Sequence, residues 1–186
     1  SAWDIPSQLF LTKYDLRYNK IASAMITNDQ FIRLVASEKK ITFISTGMCS
    51  LENIDRAVQI FREEECPFIL LHSVSTYPAN ESDLNLAVMT TLKDRYDCQV
   101  GYSGHESSVS PSVLAAMLGA RVIERHITLD RAMYGSDQSA SLELTGFKSL
   151  VAMIRKIDTC IGDGIKRLLP AEIEVAKKLR YWQEKF

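Results

Sequence analysis

Five apolar, β-prone runs separated by stretches of helical period restrict this chain to few folds. The runs are YNKIAS (18–23), ITFIST (41–46), FILLHSVS (68–75), CQVGYS (98–103) and RVIERHIT (121–128). They are apolar almost throughout rather than in strict alternation, which suits parallel strands covered on both faces. The stretches between them are amphipathic. NDQFIRLVAS (28–37) opens on an Asn cap, and SLENIDRAVQIFREEE (50–65) opens on a Ser cap, with Asn53 where a capping box carries Glu or Gln. SDLNLAVMTTLKDRY (82–96) lays Leu84, Val88 and Leu92 along one stripe. SPSVLAAMLGA (110–120) has Pro111 near its start and Gly119 near its end, and two further helices are expected at 145–161 and 170–184. Alternation of this kind predicts a parallel α/β architecture, and 186 residues are enough for one sizeable core.

An open doubly wound sheet and a (β/α)8 barrel both fit that pattern. No GxGxxG follows any strand, which removes the dinucleotide signature of the open sheet. The polar residues point to the barrel. Lys20 and Ser23, Ser45 and Thr46, His72, Ser73 and Ser75, Ser103 and His105, and Glu124 and His126 all fall at strand ends. In a barrel such residues converge on the C-terminal rim, where the active site is built. The expected fold is therefore a (β/α)8 TIM barrel. A barrel needs eight strands and typically ~250 residues, whereas five strands are legible here. The opening SAWDIPS has no initiator Met and resembles the end of an element already under way. Residues 1–186 are accordingly expected to be the C-terminal part of a single barrel domain, a fragment or trimmed product.

Charge and composition exclude several classes of partner. The net charge is −1 with acids and bases interspersed, so no nucleic-acid surface is expected. No apolar run approaches the ~20 residues of a membrane span, and no signal peptide opens the chain. Cys49, Cys66, Cys98 and Cys160 lie far apart without a CxxC pair, which predicts four reduced thiols in a cytoplasmic protein.

His105 and His126 each close an apolar run and lead into a loop rich in Gly, Ser and acids. One such histidine alone reads as a core residue donating to a backbone carbonyl. Two at equivalent ends of neighbouring strands, ~4.8 Å apart, read equally as ligands for Mn²⁺, Zn²⁺ or Fe²⁺, with open positions for water and substrate oxygens. His72 sits in a more apolar run and is expected to pack or hydrogen-bond. Lys20 in a buried strand is costly unless its ammonium meets an anion or snorkels to solvent. With strand-end serines and the STG turn at 45–47 around it, Lys20 points to a phosphate or carboxylate site.

The ordered motifs NKIAS, FISTGM, LLHSVSTYP, DLNL, VGYSGHE, GARVIERHITLDR and GSDQSASLE resemble the N-acetylneuraminate (sialic acid) synthase family, through RLLPAE at 167–172. The resemblance implies condensation of phosphoenolpyruvate with an N-acylated hexosamine, usually N-acetylmannosamine, to a nine-carbon 2-keto sugar acid and phosphate. It implies a barrel in which SAWD closes the third strand and the five runs are the fourth to eighth, followed in the family by an antifreeze-protein-like domain that reaches over the partner's site in a homodimer. Carried over by position, His105 and His126 would ligate Mn²⁺ or Mg²⁺. Lys20, Ser23, Ser45 and Ser103 would hold phosphoenolpyruvate, and Ser75 falls where many members have Asn beside the phosphate. Tyr77 and Asp137 would contact the amino sugar, and Lys20, His105 and His126 are the expected catalytic residues. Ala24 and Met25 replace the usual Gly and acid, and Gln138 replaces a His, so the departures gather towards the sugar. Legionaminate or pseudaminate synthase activity on a diacetamido hexose stays open. So do a two-histidine hydrolase or isomerase without phosphoenolpyruvate, and an inactive fragment or assembly segment.

Overall fold

The computed structural model describes residues 1–182. The chain divides into two compact units, Ser1–Ile154 and Arg155–Phe186. The first unit holds five strands, β1 (Asn19–Ile21), β2 (Thr42–Ser45), β3 (Phe68–Ser73), β4 (Gln99–Gly104) and β5 (Ile123–Arg125), all parallel and in sequence order. Helices α1 (Ile5–Leu11), α2 (Asp29–Ser37), α3 (Leu51–Glu63), α4 (Val88–Tyr96) and α5 (Ser110–Met117) precede or connect them, and α6 (Leu144–Ile161) follows. In the second unit, Gly162 and Gly164 take positive φ of 63° and 74° after α6, and α7 (Pro170–Leu179) starts at a Leu169 N–H bonded to Glu172. Residues 183 and 184 of the helix expected at 170–184 lie outside the described residues.

Register aligns Ile21, Ile44, Leu70 and Val100 across four strands, and all four are buried in the core shared with the helices. Helix α2 presses Phe31, Ile32, Val35 and Ala36 into that core, and α3 adds Ile54, Ala57, Val58, Ile60 and Phe61. Each fully buried Ile or Phe contributes ~1.5–3 kcal/mol through removal of apolar surface from water. The caps Asn28 and Ser50 are those expected: Asn28 accepts from Phe31 N–H, and Ser50 completes a reciprocal capping box with Asn53 in place of the usual Glu or Gln.

Alternate residues face the other side of the sheet: Lys20, Phe43, Ser45, Leu71, Ser73, Ser103 and Glu124. There the curvature shows itself. A flat five-stranded sheet would set its edge strands ~19 Å apart at ~4.8 Å per gap, yet Lys20 Nζ on β1 lies 3.4 Å from Glu124 Oε2 on β5. Two side chains cannot bridge a flat sheet of that width, so the strands wrap into a half-barrel with this face inside.

Several expectations on local structure need correction. Ser1–Asp4 forms no strand; Asp4 instead accepts from Ser7 N–H and caps α1, with Pro6 in its first turn. The helix expected over 82–96 is split into a 3-10 turn (Glu81–Asp83) and α4. His72 Nε2 takes the Leu84 carbonyl at 2.6 Å, and Asn85 turns to a φ of 43°, so the helix restarts only at Val88. Strands 18–23 and 121–128 are shorter than expected: Ser23 starts a 3-10 turn, and His126 follows the last rung of β5. The four cysteines are free thiols, and among the described residues no helix is long and apolar enough to cross a membrane.

The sheet order leaves one side of β1 and one side of β5 without a strand neighbour. Trp3, Tyr18, Leu129 and Tyr134 are exposed besides. Unpaired edges and apolar surface favour association. The isolated 186-residue chain is expected to dimerise or aggregate at micromolar concentration in sedimentation velocity, and a sharp monomer peak would contradict that.

Candidate functional site

A cavity of ≈ 750 Å³ opens at the C-terminal ends of the strands. Lys20, Ser23, Ser45, Tyr77, Ser103, His105, His126 and Asp137 line it, together with Glu124. A groove of ≈ 710 Å³ along α3 and α4 is lined by Asp55, Arg62 and Arg95. Its charges are already engaged, Arg95 with Asp55 at 2.6 Å and Arg62 with the Tyr96 carbonyl. The strand-end cavity is where reactive groups gather.

Lys20 reaches the cavity because it sits on the inner face of β1. Its ammonium donates to Ser45 Oγ at 2.7 Å and to the Ile21 carbonyl at 3.2 Å, and pairs with Glu124 at 3.4 Å. Glu124 also accepts from Ser103 Oγ at 2.8 Å. Burial pushes the Lys20 pKa below its ordinary value, and the Glu124 carboxylate partly offsets the shift. The anion that a buried lysine requires is thus supplied internally, by a residue visible in the sequence as a strand-end group but without an assigned role.

The two histidines meet as neighbours. Their ring centroids are 5.2 Å apart, and the Tyr77 ring stands 4.4 Å from His105 and 5.8 Å from His126. His105 Nδ1 bonds the Val74 carbonyl at 2.8 Å, which requires the proton on Nδ1 and leaves the Nε2 lone pair free. Burial is the main cause that holds the His105 pKa below the usual imidazole range, so the ring stays neutral. His126 Nδ1 faces Asp137 Oδ2 at 3.3 Å. His72 is buried, as expected, with its proton committed to the Leu84 carbonyl.

Other expected residues take more structural positions. Ser23 Oγ accepts from Gly47 N–H at 3.0 Å. Thr46 spends both its amide and its hydroxyl on the Leu71 carbonyl. The STG turn therefore does not form an open cradle of amides, and of its three residues Ser45 lines the cavity. Ser75 does not line the cavity; its Oγ is buried without a hydrogen-bond partner and would lie 2.1 Å from a Cβ on Gly47, so a side chain at position 47 would displace that hydroxyl.

Two adjoining imidazoles, one with a carboxylate behind it, are a donor set for a divalent metal ion. Among the described residues no group of three His, Cys, Asp or Glu side chains forms a ready-made metal cluster. An ion held by His105 and His126 would complete its coordination with water and substrate oxygens, and the donor set fits that arrangement. Glu106 and Arg125, the charged residues beside the two histidines, are not singled out by sequence reasoning. Both are buried and paired at 2.9 Å, and a charge on either side of a histidine-bearing strand end was the available signal.

Comparison with known proteins agrees with this geometry. The NeuB family model matches residues 1–166. The chain is 38% identical over 156 residues to the pseudaminic acid synthase of Campylobacter jejuni, covering 83% of this chain and 46% of that protein. It is 38% identical to the N,N'-diacetyllegionaminic acid synthase of the same species, covering 91% of this chain and 52% of that one. The crystal structure of N-acetylneuraminic acid (sialic acid) synthetase from Leptospira borgpetersenii superposes with a TM-score of 0.83 at 36% identity, over 96% of this chain and 64% of that one. The chain spans about half the length of the curated relatives it matches. With a half-barrel of parallel strands, a cavity at their C-terminal ends and a family match over nearly its whole length, the chain belongs to the NeuB family.

Proposed function

We propose that this chain forms the metal- and phosphoenolpyruvate-binding half of a cytoplasmic sugar-acid synthase. The reaction joins phosphoenolpyruvate to N-acetylmannosamine, giving a nine-carbon 2-keto acid and phosphate. The observation that carries the proposal is one cavity lined both by the half-buried ammonium of Lys20 and by two adjoining imidazoles, His105 and His126. A hydrolase or isomerase that used the imidazoles alone would have no use for that ammonium.

Lys20, with the Ser45 and Ser103 hydroxyls, would bind and orient the anionic groups of phosphoenolpyruvate. Tyr77 and Asp137 would position the amino sugar beside the histidines. A divalent ion, Mn²⁺ or Mg²⁺, held by His105 and His126 would supply Lewis acidity at the sugar carbonyl. C3 of the enol phosphate then bonds to the carbonyl carbon, whose oxygen takes a proton. Water adds to the oxocarbenium carbon at C2 and loses a proton; the bond from C2 to the phosphate oxygen then breaks, the C2 hydroxyl gives its proton to the departing phosphate, and a keto group remains at C2. The complete enzyme would be a homodimer, as the resemblance implies.

A second sugar reading rests on specific residues. Gln138 Oε1 is held by the Thr128 hydroxyl at the sugar end, and Ala24 and Met25 replace the usual Gly and acid. Relatives at 38% identity are pseudaminic and legionaminic acid synthases, so a diacetamido hexose is the alternative substrate. Phosphate release from phosphoenolpyruvate, measured with each hexosamine in turn, tests both readings. A chain completed with the preceding strands of a relative's barrel should release phosphate only when the right amino sugar is present. The 186-residue chain by itself is expected to be inactive. Release that ignores the sugar would remove the condensation reading.

A further inference from the structure

We propose that the buried Arg125–Glu106 ion pair is a positioning device that sets the orientation and spacing of His105 and His126, an inference that for its metal-affinity arm rests on the metal reading above. Glu106 follows His105 directly, and Arg125 directly precedes His126. Gly104 and Arg125 are partners on the last rung between β4 and β5, so both histidines stand one step beyond the end of the ladder. Arg125 borders the cavity, but its guanidinium points to Ser108 and to Ser112 on α5.

The contacts there are dense. Arg125 Nη1 donates to Glu106 Oε1 at 2.9 Å, to the Ser108 carbonyl at 2.8 Å and to Ser112 Oγ at 3.1 Å, and Nη2 donates to the Glu106 carbonyl. Glu106 also accepts from Tyr102 OH at 2.8 Å and Ser112 Oγ at 3.2 Å. A Cβ on Gly104 would lie 2.7 Å from Glu106 Oε2, so the strand is bare where the carboxylate folds back. One guanidinium from β5 therefore grips the backbone of the loop that carries His105. That loop is tied at two more points, His105 Nδ1 to the Val74 carbonyl and the His105 carbonyl to Ala79 N–H.

Stability alone gives weak reason for such a pair. Its side chains are 1% and 0% exposed, and Arg125 Nε is buried without a partner. Desolvation of two charges often cancels their attraction, and well-packed apolar replacements are frequently as stable; fixing a register is the better-attested use. Here the register fixed is that between two strand ends, each bearing one imidazole.

The chain has three histidines, so imidazole ¹⁵N spectra of the metal-free protein can be assigned, and Co²⁺ titration reads the site directly. Two variants separate positioning from folding: Arg125→Lys, which keeps the charge and loses the fork, and the neutral pair Glu106→Gln with Arg125→Met. The expected result is a folded protein whose His105 no longer holds a single Nδ1–H tautomer and whose Co²⁺ affinity falls about 10- to 100-fold, as for loss of an outer-sphere partner. A folded neutral pair with the parent's tautomer and affinity would overturn the proposal. So would failure of both variants to fold, which would make the pair a stability element. If the parent binds no Co²⁺, or His105→Ala leaves binding unchanged, the metal reading fails, while the tautomer spectra still decide the role of the ion pair.

Discussion

Replacing His105 or His126 with alanine should remove divalent-ion binding from the strand-end cavity. Each variant deletes one of two imidazole donors whose rings stand 5.2 Å apart. The loss should exceed the ~10–100-fold that an outer-sphere partner costs. Stability should change little by comparison. His105→Ala forfeits the bond to the Val74 carbonyl, worth about 1 kcal/mol net, and His126 is already one-third exposed. Titration with Mn²⁺ or Co²⁺, beside circular dichroism of each variant, makes the measurement. A folded alanine variant that bound the ion as tightly as the parent would end the metal hypothesis for that residue. In a completed enzyme the same variants should lose condensation below detection, because in the proposed reaction the ion they would hold supplies the Lewis acidity at the sugar carbonyl.

The sequence showed which segments form strands far better than it showed where they stop. All five runs became parallel neighbours, because near-continuous apolar character survives whatever the helices do. The ends were lost to tertiary contacts. The stripe of Leu84, Val88 and Leu92 has a sound helical period, but the His72 imidazole claims the Leu84 carbonyl from across the fold. No local pattern announces that bond. The converse holds at Asp4 and Pro6, where a cap and a first-turn proline signal α1 locally, although the resemblance sets SAWD at a strand end.

The candidate site follows the same division. Alternation placed Lys20, Ser45, Ser103 and His105 on one face, so these cavity-lining residues were legible from strand position, whereas Tyr77 and Asp137 were implied only by the resemblance. Glu124 was not assigned a role, because its pairing with Lys20 depends on the curvature that brings β5 back to β1. Thr46 reads as a free hydroxyl, but it donates to the Leu71 carbonyl, and Ser103 likewise donates to Glu124; Ser23 accepts from the Gly47 amide and keeps its own proton. Hydroxyls are short and adaptable, and only the neighbouring backbone decides which ones remain available.

Lys20→Ala should weaken phosphoenolpyruvate binding about ten- to hundredfold and leave amino-sugar binding nearly unchanged. A charge-assisted contact contributes ~1.5–3 kcal/mol, and ~1.4 kcal/mol is tenfold in affinity. Calorimetric titration of each ligand separates the two effects, and an unchanged phosphoenolpyruvate affinity would place Lys20 outside the anion site. The pH dependence provides an independent check. Burial lowers the Lys20 pKa from its ordinary 10.5, with Glu124 opposing the shift. Phosphoenolpyruvate needs the ammonium charged, so its affinity should fall as pH rises through that lowered value, earlier than for an exposed lysine. Stability runs the other way. Between the lowered folded pKa and 10.5 the unfolded chain binds more protons than the folded one, so the Lys20 contribution to stability rises with pH across that window. In Lys20→Ala both trends should vanish together, because one ammonium, costly to bury and held for an anion, causes both.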